Sequence, residues 1–412
     1  MKIYKRAIID QIIKYLFTED VIVLHGARQV GKTYILYWLK DYLGSQGKAV
    51  HYIDLEDSRL LTILNRGVDN FLHYLAEEGL NPADFQGAQN PLFVCIDEIQ
   101  YLSDPSSFLK MTADHHKNIK LIVSGSSSFD IQTKFKDSLV GRTVDFEIHN
   151  LSFAEFLLFK EYKTDLSRIY TDKKREELAG LFKQFVLFGG YPKAVLTEDK
   201  EKKEKYIQQI IDTYVRKDIR DLAGVRDIDK FNKMLEALAA QSGQILNVIE
   251  LAGTCGAAKQ TIERYLNILE KTYVIRRVRP YHKNIRSELF KSPKIFFYDS
   301  GLMQMLWLKT FSQTILGGIF ETAVFAELVK FFGVENVLYW RTQKGHEIDF
   351  IIKQKEKVIP YEVKMNFNRF RATAMKYFCD RYAVDARFCV SLEGVEQGKI
   401  CIYPWEIGLL HG

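Results

Sequence analysis

In the first third of the chain, short apolar runs alternate with stretches whose apolar residues fall three or four apart. "VIVLHG", "AVHYIDLE", "PLFVCIDE", "NIKLIVSGS" and "TVDFEIHNL" each read as a β-strand, and the segments between them read as helices. Strands alternating with helices predict a parallel sheet with helices on both faces, and ligands of such sheets bind beyond the carboxyl ends of the strands. From about Ser152 to Gln241 the period is helical in "FAEFLLF", "REELAGLFKQFVLF" and "KKEKYIQQIIDTYVRKDIRDL", with "FGGYP" (Phe188 to Pro192) expected as a turn. Next, "QILNVIELAGTCGAAKQTIERYLNILEKTYVIRRVRPY" reads as a short helix, a glycine-containing turn, a helix from about Ala257 to Leu269 and a strand, the order of a winged helix-turn-helix. Beyond about Ile315 an amphipathic helix, "IFETAVFAELVKFF", leads into the strands "VLYWRT", "EIDFIIK", "VIPYEVK", "ARFCVSL" and "KICIYPW", a second α/β domain with its own sheet.

At 412 residues the chain exceeds one ordinary core, and 47% hydrophobic residues with only 8 prolines predict packed cores throughout. A formal charge of +6 permits a polyanionic partner without requiring one. Cys95, Cys255, Cys379, Cys389 and Cys401 form no CxxC pair, which argues for a reducing compartment and against zinc. The opening "MKIYKRAIIDQIIKYLF" lacks the pattern of a signal peptide, and no apolar run is long enough to span a bilayer. The expected location is the cytoplasm, with no membrane partner.

Candidate chemistry begins with "GARQVGKT", which follows the first strand and opens a helix. Gly26, Gly31, Lys32 and Thr33 satisfy the phosphate-loop spacing, and Ala27, Arg28, Gln29 and Val30 supply the intervening backbone N–H groups. Glycine allows the turn that aims successive N–H groups at phosphate oxygens, and the helix adds its positive end. Lys32 is expected to reach the β- and γ-phosphates of ATP and Thr33 to place its hydroxyl on Mg²⁺. "LFVCIDE" ends in Asp97, expected next to the loop as a water-mediated magnesium ligand, and Glu98, expected to orient and deprotonate the attacking water. Ser126, closing "LIVSGS", reads either as a γ-phosphate contact or as an ordinary turn residue. Arg142, in "LVGRTVDF", reads either as a transition-state cation or as a surface residue.

Taken together, "GARQVGKT", "IDEIQ", "VSGSSS", "LVGRTVDFEIHNLSFAEF" and "FGGYPKAV" resemble the bacterial and archaeal AAA-type ATPases that carry a C-terminal domain of unknown function, DUF4143. The resemblance covers essentially the whole chain. It implies an AAA-type ATPase module with Gln100, Ser126 and Arg142 near the nucleotide, and Pro192 in a helical lid motif touching the base or ribose.

From Lys271 to Arg286, "KTYVIRRVRPYHKNIR" is basic and carries no acid, so it reads as the wing, with Arg276, Arg277 and Arg279 as DNA-contact candidates. Lys259, Gln260 and Arg264 are expected on the exposed face of the preceding helix, where they meet base edges or phosphates. A protein-interaction module with a solvated basic face has the same pattern. In the last domain, Asp349 and the pair Glu362 and Lys364 are expected on one face of neighbouring strands, with Glu321 on the preceding helix. This arrangement resembles the PD-(D/E)xK nuclease core, in which Glu321, Asp349 and Glu362 hold Mg²⁺ and Lys364 steadies developing charge. A salt-bridged sheet edge, or a nuclease-like fold that no longer cuts, fits the same residues.

The expected fold class is α/β: a P-loop NTPase parallel sheet of AAA type (residues 1–151), a helical lid and connector (152–225), a winged helix-turn-helix (226–290) and a nuclease-like α/β domain (291–412). The expected function is Mg²⁺-dependent ATP hydrolysis coupled to DNA binding or processing. The alternative is a nucleotide-controlled switch whose C-terminal domain binds a partner protein without cutting. Assembly into a homo-oligomer is expected if Arg142 acts between subunits rather than within one.

Overall fold

The computed structural model describes residues 2–126, 139, 141–166, 171–219, 224–225, 227–282, 292–394 and 400–411. The chain divides into two compact units, Met1–His149 and Asn150–Gly412.

In the first unit the five expected strands form one parallel sheet: β1 (Val21–Gly26), β2 (Val50–Asp54), β3 (Leu92–Asp97), β4 (Ile119–Ser126) and β5 (Thr143–Glu147), in the order β2-β3-β4-β1-β5. The near-continuous apolar runs of β1 and β3 are what a strand buried on both faces requires. Val21, Val23, Val94, Ile96, Leu121 and Val123 share a core with Phe71, Leu75, Phe108 and Leu109 from the helices Val68–Glu77 and Pro105–His115. Helix Lys32–Ser45 buries Ile35, Leu36, Leu39 and Leu43 and packs along β1 to β4. This is the five-stranded parallel sheet of a P-loop NTPase.

The second unit begins with a strap, Asn150 to Phe153, tied down by buried polar groups. Asn150 donates to the Asp299 carboxylate, Leu151 N–H to the Gly190 carbonyl (2.8 Å), and Phe153 N–H to the Glu327 carboxylate (2.9 Å). Ser152 and Glu155 then form a capping box that starts helix Phe153–Phe159. "FGGYP" leaves helix Asp172–Phe188 through Gly189 at φ +76°, and the Gly190 N–H donates to Asp299 at 2.8 Å. Asp299 is the N-cap of helix Ser300–Leu308, so the double glycine and the segment from Asp299 to Gly301 form one joint. The long helix expected through "KKEKYIQQIIDTYVRKDIRDL" is α-helical over Lys200–Ile210 and π-helical over Ile211–Asp218.

Helices Val248–Cys255 and Lys259–Lys271 flank Gly256, which takes the left-handed conformation at φ +60°. They precede β6 (Ile275–Val278), which pairs antiparallel with β7 (Lys294–Phe297). Helix Gly317–Phe332 leads to a mixed sheet of β8 (Val337–Arg341), β9 (Glu347–Gln354), β10 (Lys357–Asn366), β11 (Phe388–Glu393) and β12 (Cys401–Ile402), in the order β12-β11-β10-β9-β8. β9 pairs antiparallel with both β8 and β10, whereas β10, β11 and β12 pair in parallel. Among the described residues, no helix is long and apolar enough to cross a membrane.

Candidate functional site

At the carboxyl end of β1 the chain turns sharply. Gly26 (φ +151°), Gln29 (φ +63°) and Gly31 (φ +100°) all take positive φ, and Gly31 is the N-cap of helix Lys32–Ser45. Successive N–H groups in such a turn form a concave anion cradle, reinforced by the helix end. Gly26 is obligatory for a second reason: a Cβ there would lie 2.1 Å from the Ile148 carbonyl oxygen. Arg6, buried near the amino terminus, donates to the Val30 carbonyl at 2.8 Å and the His149 carbonyl at 2.9 Å, pinning the loop to the residues that follow β5. Nothing in the local sequence around Arg6 signals that contact.

Lys32 is 5% exposed, and its ammonium donates to the carbonyls of Gly26 (3.0 Å) and Ala27 (2.8 Å). Burial lowers its pKa to about 8, against the opposing pull of Glu98 and Asp97. Burial, helped by the Lys32 charge, also lowers His25 to about 4, so that imidazole is neutral at pH 7. Thr33, in the first turn of the helix, is half-buried.

Asp97 ends β3, but β3 does not adjoin β1; β4 lies between them. The Asp97 carboxylate is nonetheless near enough for its charge to act on Lys32 of the loop. It is 3% exposed and oriented by Ser124 of β4 on one oxygen and by the Tyr52 hydroxyl of β2 on the other, at 3.0 Å. Neither partner stood out in the sequence, because both read as ordinary strand positions. Glu98 takes the left-handed conformation at φ +56°, sparsely populated for a residue with a Cβ, and its carboxylate accepts a hydrogen bond from Gln100. Burial raises the Glu98 pKa, although the Gln100 hydrogen bond and Lys32 pull it down. A carboxylate raised in this way is a stronger general base than an exposed one.

Ser126 ends β4 opposite Gly26 in register, at the same edge of the sheet; its side chain lies outside the described residues. Arg142 is at the other edge. Thr143 pairs with Val21, and the Val21 N–H donates to the Arg142 carbonyl, so Arg142 stands at the amino end of β1 and the loop at its carboxyl end. Five residues at about 3.3 Å each separate the two edges by about 17 Å. The Arg142 side chain pairs with Asp114 at 2.6 Å. Within one chain it is not brought to the phosphate loop, unlike the place near the nucleotide that the resemblance implies for it. Pro192 opens the short helix Pro192–Leu196 in the second unit.

The second unit brings its four expected residues together. Asp349 and Glu362 lie opposite each other by extension of the β9–β10 register, and the Val363 N–H donates to Asp349 at 2.8 Å. The Lys364 ammonium is 2.6 Å from Glu362 and 3.5 Å from Asp349. Two residues absent from the expectation, Lys294 and Glu347, complete the cluster. Lys294 of β7, 3% exposed, sits 3.4 Å from Glu321, 2.7 Å from Glu347 and 4.0 Å from Asp349. Burial and the Asp349 charge raise the pKa values of Glu321 and Glu362. For Lys294 burial alone would act downward, but Glu321, Asp349 and Glu347 together raise it. The carboxylates thus already hold ammonium groups as counter-ions, and among the described residues no three acidic, imidazole or thiol groups are arranged to hold a metal ion.

Of the DNA-contact candidates, Lys259, Gln260, Arg264 and Arg279 are exposed. Lys259 faces Glu263 at 3.7 Å, and the Arg264 guanidinium lies over the Tyr265 ring. Arg276 and Arg277 are partly buried and already paired with carboxylates. Arg276 donates to Glu335 at 2.7 Å, and Arg277 binds Glu270 through its Nε at 2.9 Å and its backbone N–H at 3.0 Å. Their charges are spent on joining β6 to its neighbours. Residues 283–291, which include the last four positions of the expected wing (283–286), lie outside the described residues.

Comparison with known families bears on these sites directly. Residues 18–157 match an AAA domain, AAA_14, and residues 316–406 match DUF4143, a domain of unknown function. The chain thus joins a segment that matches an AAA domain to a C-terminal segment that matches DUF4143. Between the two, residues 179–314 match DUF8612, another domain of unknown function. The AAA domain spans the phosphate loop, Asp97 and Glu98, and DUF4143 spans Glu321, Glu347, Asp349, Glu362 and Lys364. Lys294 comes from the DUF8612 segment. The chain is 25% identical over 363 residues to an uncharacterised protein of Haemophilus influenzae, covering 86% of this chain and 85% of that protein. It is 26% identical over 356 residues to one of Methanocaldococcus jannaschii, covering 83% and 74%. Among solved structures, a Walker-type ATPase of Pyrococcus abyssi is similar over 74% of this chain and 96% of that chain, with 15% identity and a TM-score of 0.47.

Proposed function

We propose that the AAA domain hydrolyses ATP with Mg²⁺ and that the second unit couples this cycle to DNA. The observation that carries the proposal is the convergence at one sheet edge of the glycine cradle, the buried Lys32 and the oriented pair Asp97 and Glu98. Thr33 and Asp97 fit a magnesium ion: one is a hydroxyl on the first turn after the cradle, the other a buried carboxylate fixed by three donors. The ion would neutralise phosphate charge there. Lys32 exchanges its loop carbonyls for phosphate oxygens, and Glu98 orients a water for attack and takes its proton. Ser126 and Gln100 stand at the same edge as further polar contacts. Arg142 meets a phosphate only from a neighbouring copy, since its own loop is at the far edge of the sheet; a homo-oligomer is part of the proposal.

DNA contact falls to the exposed face of helix Lys259–Lys271, through Lys259, Gln260 and Arg264, with Arg279 beside it. Arg276 and Arg277 already pair with Glu335 and Glu270, so a phosphate would have to compete with those carboxylates for them. Fluorescence anisotropy of a labelled duplex tests this. Binding is expected to weaken steeply between low and physiological salt, and Lys259→Ala or Arg264→Ala each to lower the slope of log affinity against log salt by about 1. Binding that is absent, or insensitive to salt and to both variants, would remove DNA from the account.

A second reading is favoured by Lys294. With that ammonium among the carboxylates, the DUF4143 domain binds a partner without cutting, and ATP occupancy acts as a switch. ATP turnover unaffected by DNA, with slow nucleotide release, would support it over the first.

A further inference from the structure

We infer that Lys294 is the resident cation of the DUF4143 acidic cluster, occupying the place that a divalent metal would need, so that the protein as it folds takes up no metal there. The inference deepens the reading of this domain as one that binds without cutting, and metal uptake tests it independently of any nuclease assay.

Four carboxylates approach one another in this cluster: Glu321 from helix Gly317–Phe332, Glu347 and Asp349 from β9, and Glu362 from β10. Without cations their mutual repulsion in a buried site would oppose folding. Two ammonium groups meet that need in different ways. Lys364 lies on the same strand as Glu362 and is 31% exposed at its side chain, so it has room to move. The Lys294 side chain is 4% exposed and is delivered from β7, outside the DUF4143 sheet altogether. Its ammonium bridges Glu321 and Glu347 and lies 4.0 Å from Asp349, between the carboxylates that a metal would have to draw together.

A magnesium or manganese ion binds carboxylate oxygens at about 2.0–2.2 Å, and one shared by Asp349 and Glu321 would draw on the same two carboxylates that the ammonium faces at 4.0 Å and 3.4 Å. A doubly charged ion and a buried ammonium cannot share the space, and β6–β7 pairing leaves Lys294 no solvent to retreat into. The backbone around the cluster is committed to the same arrangement. Gly243 carries φ +87°, and a Cβ there would come within 3.1 Å of the Glu321 carboxylate; its N–H donates to the carbonyl of Ile295, beside Lys294.

The test uses the full chain without nucleotide and titrates Mn²⁺ while following the free-ion signal by electron paramagnetic resonance. Asp349→Asn serves as the control for uptake elsewhere. Wild type is expected to show no Mn²⁺ uptake that Asp349→Asn abolishes. Lys294→Met is expected to gain such uptake, with affinity at least about tenfold tighter than wild type, and its Tm is expected to rise on adding Mn²⁺ while that of wild type stays put. Should Lys294→Met not fold, the double variant Lys294→Met with Glu347→Gln removes one positive and one negative charge together, keeping the cluster's net charge and its Glu321, Asp349 and Glu362 set. Asp349-dependent uptake by wild type would overturn the inference. So would a folded variant lacking Lys294 that binds Mn²⁺ no better than wild type.

Discussion

Lys32→Gln is expected to weaken ATP binding by roughly tenfold to a hundredfold, the loss of hydrogen bonds from a charged donor, and to slow turnover by roughly 10²–10³. Glutamine keeps most of the side-chain volume and a donor, so helix Lys32–Ser45 should persist and the loss should be chemical. The same ammonium makes affinity depend on pH in a defined direction. Burial sets the free protein's Lys32 near 8, so below that pH the group is charged and ready for phosphate. As pH rises past about 8 the free protein loses this proton, binding must take one up, and apparent affinity falls by up to about tenfold per pH unit. The Lys32→Gln variant should be flat across that window. Calorimetric titration at several pH values checks both statements.

Gly189→Ala is expected to destabilise the second unit by about 3–5 kcal/mol, the range for strain combined with disruption of a buried polar network. A methyl group there would lie 2.2 Å from the Asp299 carboxylate, on a backbone at φ +76° that side chains resist. The displaced carboxylate would surrender its bonds from the Gly190 and Leu302 N–H groups, each 2.8 Å, and from Asn150. Gly180→Ala, on an exposed turn of the preceding helix with nothing within 4 Å, supplies the contrast and should be neutral or slightly stabilising. Thermal unfolding of the two variants separates a glycine required by its surroundings from one that is not.

These two sites also mark what could be read from sequence. The phosphate loop was legible because its chemistry is local: eight consecutive residues set the turn, the cation and the hydroxyl. Asp349, Glu362 and Lys364 were legible because strand alternation projects side chains in a fixed pattern. What escaped depends on residues far apart in the chain. Why "FGGYP" needs two glycines is answered by Asp299, 109 positions beyond Gly190. That β4 separates β3 from β1 is a matter of strand order, which hydrophobic pattern does not encode. Arg142 follows a glycine like a residue at a functional turn, yet the parallel register carries it to the opposite edge. In "SPKIFF", Lys294 looks like a strand-end charge, because its carboxylate partners lie 27 or more positions away. Arg276 and Arg277 belong to a run without acids, and a charge run does not disclose that Glu270 and Glu335 fold against it.

The most direct measurement of the central claim is ATP binding and ATP hydrolysis on the same preparations of wild type and Glu98→Gln. The substitution keeps the shape and the contact with Gln100 but removes the group assigned to take the water's proton. Affinity within a fewfold of wild type and turnover lower by roughly 10²–10⁴ is the predicted result. Hydrolysis by Glu98→Gln at the wild-type rate would contradict it.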